Sequence, residues 1–485
     1  MLSFSNRLTS LPHMRLPLAS SLLSALCLLT MNDLSAASLP PSQLYITTSQ
    51  SPWQQGAVQE ASGGSGRVVD LRSAQPLQTI EGFGGCFNEK GWEVLGLLSP
   101  VERAEVLDRL FSPGKGCSFT LGRMPMGAND YSLEWYSYAE TPEDYRLEHF
   151  SIERDRTLLL PYIREGLRRN GELRIWASPW CPPAWMKVNR HYAGQPAPVN
   201  DLPPEGAGRE MQTQFRMEPK VLSTYADYFV KFLEAYRKEG VTVSSVHVQN
   251  EPNSSQNFPS CVWRPEDLAL FIGEYLGPRF EKAGVTAAIW LGTVERPHLE
   301  RVEPILDSAA GRYIRGVGLQ WAGRGLVEEL HRRRPQLPLM QTETECGNGS
   351  NDWAAAEHTW DQMQHYFRNG AGAYMYWNMV LDETGNSRWG WRQNAMITID
   401  RTQRTVRYNP EYHLMRHFSQ WIQRGARFLS APGVGGQILS FRNPDGKHVL
   451  VMANQTQGPL SYRVLLPSRT VLLTLPPASF STFVE

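Results

Sequence analysis

Neither sign of charge predominates in this chain, where 48 Lys and Arg are matched by 48 Asp and Glu over 485 residues. A binder of nucleic acid or of an anionic membrane needs a concentrated basic face, so neither partner is expected. Cysteine is scarce as well, at six residues. With Cys27 assigned to a removable leader, Cys86, Cys117, Cys181, Cys261 and Cys346 remain. That odd number allows at most two disulfides and leaves one thiol free. No CxxC pair and no HExxH occurs, which removes the two common zinc signatures, so no metal is expected. A phosphate loop and a Gly-x-Ser-x-Gly elbow are also missing. Gly82-Phe83-Gly84-Gly85 fails as a dinucleotide loop because Phe87 takes the third glycine position, and no cofactor is expected.

Long apolar runs are absent except for Leu16 to Leu29, which is shorter than the ~20 residues a bilayer span needs. Arg7, His13 and Arg15 precede it and Ser35-Ala36-Ala37 follow. This is the order of a secretory signal, read as residues 1–37, and it predicts a secreted or periplasmic protein with no transmembrane segment. Aromatic residues are plentiful, with 15 Trp, 18 Tyr and 18 Phe. Some of them fill a core, and others offer flat faces suited to sugar rings.

From about residue 79 to 400, short apolar runs alternate with longer amphipathic stretches, the pattern of repeated β-α units. The predicted strands are 79–83, 118–121, 173–177, 243–248, 287–291, 317–321, 339–342 and 373–377. Between them lie helices such as 223–238, where Tyr225, Phe229, Phe232, Leu233 and Tyr236 recur on one face. Eight such units predict an α/β fold, a (β/α)8 TIM barrel. From 401 to 485 the texture is all-β, with a hairpin around Asn443-Pro444-Asp445-Gly446 and strands at 462–466, 471–475 and 480–484. Residues 38–78 carry the same pattern at 43–48 and 67–71, so a sandwich side domain built from both ends of the chain is expected.

Chemistry in such a barrel gathers at the C-terminal ends of the strands. Val246-His247-Val248-Gln249 runs into Asn250-Glu251-Pro252, where proline ends the ladder and leaves Glu251 at the rim. Leu339-Met340-Gln341-Thr342 runs into Glu343-Thr344-Glu345. Alternation does not separate Glu343 from Glu345, since residues two apart point the same way, although Glu343 is nearer the rigid strand. A single rim glutamate usually ends a strand in a salt bridge. Two carboxylates on facing strand ends are what glycosidic cleavage requires, one protonated to serve the leaving oxygen and one ionised.

Several stretches in order resemble glycoside hydrolase family 30, particularly its glucosylceramidase-like branch. They are Gly82-Phe83-Gly84-Gly85, Arg123-Met124-Pro125-Met126, Asp130-Tyr131-Ser132, Ala177-Ser178-Pro179-Trp180, Pro183 to Lys187, Asn250-Glu251-Pro252 and Tyr412-His413-Leu414. The resemblance implies a retaining mechanism with Glu251 as acid/base and favours Glu343 over Glu345 as nucleophile. It also implies a sugar subsite lined by Arg123, Asp130, Trp180, Asn250, Gln320, Trp321 and Trp377. Gln320-Trp321 stands where glucosylceramidases carry His-Trp, so the polar wall of the pocket differs. Arg388-Trp389-Gly390-Trp391-Arg392 either walls the aglycone side or packs on the rim. The expected substrate is a β-glucoside, glucosylceramide or a β-glucan. The alternatives are an endo-β-1,6-glucanase or β-xylosidase of the same family, or a carbohydrate-binding protein without turnover.

Overall fold

In the computed structural model, residues 42–485 are described apart from positions 62, 64 and 434, and the expected leader lies outside them. Eight parallel strands close into a barrel: Gly82–Cys86, Leu121–Pro125, Arg174–Ser178, Val243–His247, Ala288–Val294, Ile314–Gln320, Leu339–Glu343 and Ala371–Asn378. The eighth pairs with the first, Tyr374 opposite Phe83, so no edge is left open.

Two strands start about three residues later than their apolar runs suggest. The first, Gly82-Phe83-Gly84-Gly85-Cys86, is glycine-rich because its neighbours press in; a Cβ on Gly84 would lie 1.9 Å from the carbonyl oxygen of Leu121. The second carries Arg123 and ends in Pro125, both of which read as strand-ending, yet all five of its residues are buried.

Between strands the chain behaves as its periodicity predicts. The longest helix, Pro219–Lys238, opens with proline at its first position and buries Tyr225, Phe229, Phe232 and Tyr236 against the barrel. The last barrel helix, Pro410–Ser419, lies beyond residue 400 and buries Leu414, Met415 and Phe418. Phe418 packs on Phe83 of the first strand and Phe367 of the preceding helix.

The side domain joins both chain ends. Gln43–Thr48 pairs antiparallel with Ser479–Val484, which pairs with His448–Asn454, in a seven-stranded sheet. A four-stranded sheet faces it, with Arg67–Asp70 running parallel to Leu460–Leu465. Leu44, Leu450, Met452 and Phe483 meet Val69, Val464 and Leu473 in the core between them. The hairpin from Ile438–Arg442 to His448–Asn454 pairs Phe441 with Val449 across its turn. Among the described residues no helix is long and apolar enough to cross a membrane, and all five cysteines are free thiols.

The loop after the second strand, which carries Asp130 and Trp135, is anchored by one buried carboxylate. Asp155 accepts hydrogen bonds from the hydroxyls of Tyr136 (3.0 Å), Tyr138 (2.6 Å) and Tyr236 (2.5 Å). Burial pushes its carboxyl up to about 6, against the pull of the three hydroxyls. Asp155→Ala strands all three hydroxyls in the interior and is expected to cost about 4 kcal/mol, measured as a lower denaturant midpoint. An unchanged midpoint would refute the anchoring role.

Candidate active site

The site grows from the C-terminal ends of strands two to eight. Arg123, in the second strand, has no solvent exposure, and a buried guanidinium demands partners from several directions. Its Nη1 donates to Glu343 Oε2 at 2.5 Å and its Nη2 to Asn250 Oδ1 at 2.6 Å. Ser178, the last residue of the third strand, accepts from Nε and Nη2 at 3.2 and 3.1 Å. Above and around the guanidinium stand Trp180, Trp176 and Trp377, with ring centres 4.4, 5.2 and 5.3 Å from its central carbon. This cation–π enclosure leaves the planar group one orientation.

Gln320 ends the sixth strand and ties the same groups together. Its Nε2 donates to Glu343 Oε2 (3.0 Å), Asn250 Oδ1 (2.8 Å) and Thr293 Oγ1 (3.0 Å). Asn250 Oδ1 therefore receives Arg123, Gln320 and the Thr293 hydroxyl at 2.9 Å. Among the described residues its Nδ2 has no partner, which leaves an amide donor for a ligand.

The two glutamates sit in opposite electrostatic surroundings. Glu343, the final residue of the seventh strand, is 4% exposed. Its Oε2 is held by Arg123 and Gln320, while Oε1 meets the Cys346 thiol at 3.8 Å. Burial raises its pKa, and the contact with Arg123 opposes that rise. Glu251 follows Asn250 at φ 46°, left-handed backbone that a non-glycine residue adopts at some cost. Among the described residues no cation is bonded to it. Burial drives its pKa well above the usual carboxylate range, and the charges of Glu295, Glu343 and Asp130 push the same way. Glu251 is thus the more strongly raised of the pair.

Asp130 is 4% exposed, and among the described residues its Oδ1 has no hydrogen-bond partner. Burial and the charge of Glu343 lift it to about 8. Trp180 and Trp377 stack with ring centres 5.3 Å apart. They share a cluster with Tyr131, Phe258 and Trp389, against which Trp135 packs. Trp321 is half-buried in the turn Trp321–Gly323 after the sixth strand, outside the polar network.

Glu345, left open against Glu343 by alternation, turns away from the network. It is bonded by His358 and by Gln362 Nε2 (3.1 Å) of the helix Trp353–Arg368. The strand ends at Glu343, so the two-residue rule lapses before Glu345. Residues 388–392 pack on the rim at one indole and leave the other open. Trp389 is buried 4.7 Å from Trp135, whereas Trp391 is 46% exposed beside Phe258.

Sequence reading missed Ser178, Thr293 and Glu295. The last two escaped because the fifth strand was expected to stop at Leu291. It runs on to Val294 through Gly292 at φ 111°, where the pairing register shifts. A search for rim carboxylates that allowed a glycine bulge would have reached Glu295.

Residues 80–422 match the glycosyl hydrolase family 30 TIM-barrel domain, and residues 434–483 match the family 30 beta sandwich domain. The chain belongs to glycoside hydrolase family 30. This family 30 enzyme is 26% identical to the lysosomal acid glucosylceramidase of Mus musculus, over 87% of its own length and 84% of that protein. It is also 26% identical to an endo-1,6-beta-D-glucanase of Neurospora crassa, over 89% and 92% of the two chains. Among solved structures, SrfJ from Salmonella typhimurium superposes with a TM-score of 0.81 at 26% identity, covering 92% of this chain and 99% of that one. As a family 30 glycosidase it cleaves glycosidic bonds, and its relatives carry the names of glucosylceramidases and endo-1,6-β-glucanases.

Proposed function

We propose that this enzyme hydrolyses a β-glucosyl linkage with retention of configuration and that it works outside the cytoplasm. The observation that carries the reading is the network of Arg123, Asn250 and Gln320, which holds one oxygen of Glu343 and leaves the other to act. Glu251 donates its proton to the glycosidic oxygen while Glu343 Oε1 attacks the anomeric carbon. The bond to the aglycone breaks, and a glycosyl ester on Glu343 forms. Glu251, now ionised, takes a proton from water as that water attacks the anomeric carbon and frees Glu343. Asp130, with its unpartnered oxygen, and Asn250 Nδ2 address the sugar hydroxyls, and Trp180 and Trp377 cover the apolar face of the ring. Export rests on the basic, apolar and small-residue order of residues 1–37.

A β-1,6-glucan is the second reading, favoured by one feature. Trp391 presents an exposed indole next to Phe258, 6.2 Å between ring centres, where a further pyranose can stack. Incubation with a 2-deoxy-2-fluoro-β-glucosyl fluoride, followed by mass spectrometry of the peptides, tests the proposal. A fluoroglucosyl adduct on Glu343 is expected. A label on Glu345, or product of inverted configuration from an aryl β-glucoside, would overturn it.

A further inference from the structure

Besides Asp130, a further buried carboxylate stands beside the pair and has no part in the bond chemistry just described. Glu295 directly follows the fifth strand and is 2% exposed. Its Oε1 accepts from the backbone N–H of Asn253 at 2.9 Å and from the Ser254 hydroxyl at 2.9 Å, and its Oε2 from Asn253 Nδ2 at 3.3 Å. Every group hydrogen-bonded to its carboxyl donates, which favours the ionised form against the rise in pKa that burial imposes.

These bonds close a clamp around Glu251. On one side the backbone N–H of Glu251 donates to the Thr293 carbonyl at 3.0 Å; on the other, Glu295 grips the residues two and three beyond. The Ser254 N–H returns to the Glu251 carbonyl at 3.0 Å. The left-handed φ of Glu251 is thus held between two anchors supplied by one strand end.

We propose that Glu295 is a positioning residue for the acid/base: it fixes the turn that carries Glu251 and sets a second negative charge beside its carboxyl. The proposal rests on the reading of Glu251 as the acid. The charged groups that face Glu251 are Glu295 and Arg296 from the fifth strand end, Glu343 from the seventh, and Asp130 from the loop after the second. After burial, Glu295 is the largest influence raising Glu251. Arg296 acts against it but is itself engaged by Glu210 at 2.9 Å and only half-buried.

The test is the pH dependence of kcat/KM on phenyl β-glucoside, a substrate that needs protonation to leave. Activity falls as pH rises through the pKa of the acid, so removing a neighbouring negative charge must move that alkaline limb downward. Glu295→Gln keeps acceptors for the Asn253 N–H and the Ser254 hydroxyl, and is expected to shift the limb down by about one pH unit. Activity one unit above the native limb then falls about tenfold. A lower kcat with the limb in place would mean that Glu295 only braces the turn and would overturn the proposal. Should Glu295→Gln fail to fold, Arg296→Met decides: loss of the opposing cation is expected to raise the limb by about half a unit, and a limb that does not rise also overturns it. Glu251→Ala separates the two assignments. A limb that persists there refutes Glu251 as the acid, whereas a limb that vanishes there but stays put in Glu295→Gln refutes Glu295 alone.

Discussion

Glu343→Gln is expected to lower kcat on an aryl β-glucoside by at least ~10⁴-fold while the barrel stays folded. The amide has nearly the shape of the carboxylate, and its oxygen can still accept from Arg123 Nη1 and Gln320 Nε2, the two donors that hold Oε2. It cannot supply the electron pair that makes a glycosyl ester. The exchange also leaves the Arg123 guanidinium buried without its counter-charge, among Trp176, Trp180 and Trp377. A stability loss of about 3 kcal/mol is expected, because breaking a buried pair exposes the cost of the remaining ion. Steady-state rates with a parallel thermal unfolding curve measure both. Undiminished turnover in a folded variant would remove Glu343 from the mechanism.

Glu251→Ala is the second large effect, and its size depends on the substrate. An alkyl or phenyl β-glucoside, whose leaving oxygen needs a proton, is expected to lose about 10³-fold in kcat/KM. A dinitrophenyl β-glucoside needs almost no protonation, so its first step is nearly spared. Release of the sugar then becomes slow, because no base activates water. Azide attacks without a base, so adding it should raise kcat for the dinitrophenyl substrate and give β-glucosyl azide. Equal losses on both substrates, with no response to azide, would show that Glu251 is not the acid/base. The alanine also removes a carboxyl facing Glu343 and Asp130, so the fold is not expected to suffer.

The barrel was legible because a closed parallel sheet buries both faces of every strand and so writes near-continuous apolar runs into the chain. Strands four and seven, Val243–His247 and Leu339–Glu343, lie where those runs predict, and each delivers its glutamate to the rim. Legibility failed where polar or flexible residues sit inside the wall. Arg123 reads as a strand end, yet it is buried because Glu343, Asn250 and Ser178, from three other strand ends, converge on it. Gly292 reads as a break and is a bulge within the fifth strand, which hid Thr293 and Glu295.

From residue order alone came the class of fold, the two-ended sandwich and the positions of Glu251 and Glu343, because hydrophobic period and strand termini are local properties. Folding alone decided which acid meets a cation and which meets other acids. That choice depends on neighbours distant along the chain: Arg123 against Glu343, and Glu295 with Asp130 near Glu251. Charge interactions in a buried cavity are set by distance through space and by the exclusion of water, and neither is written in the order of the residues.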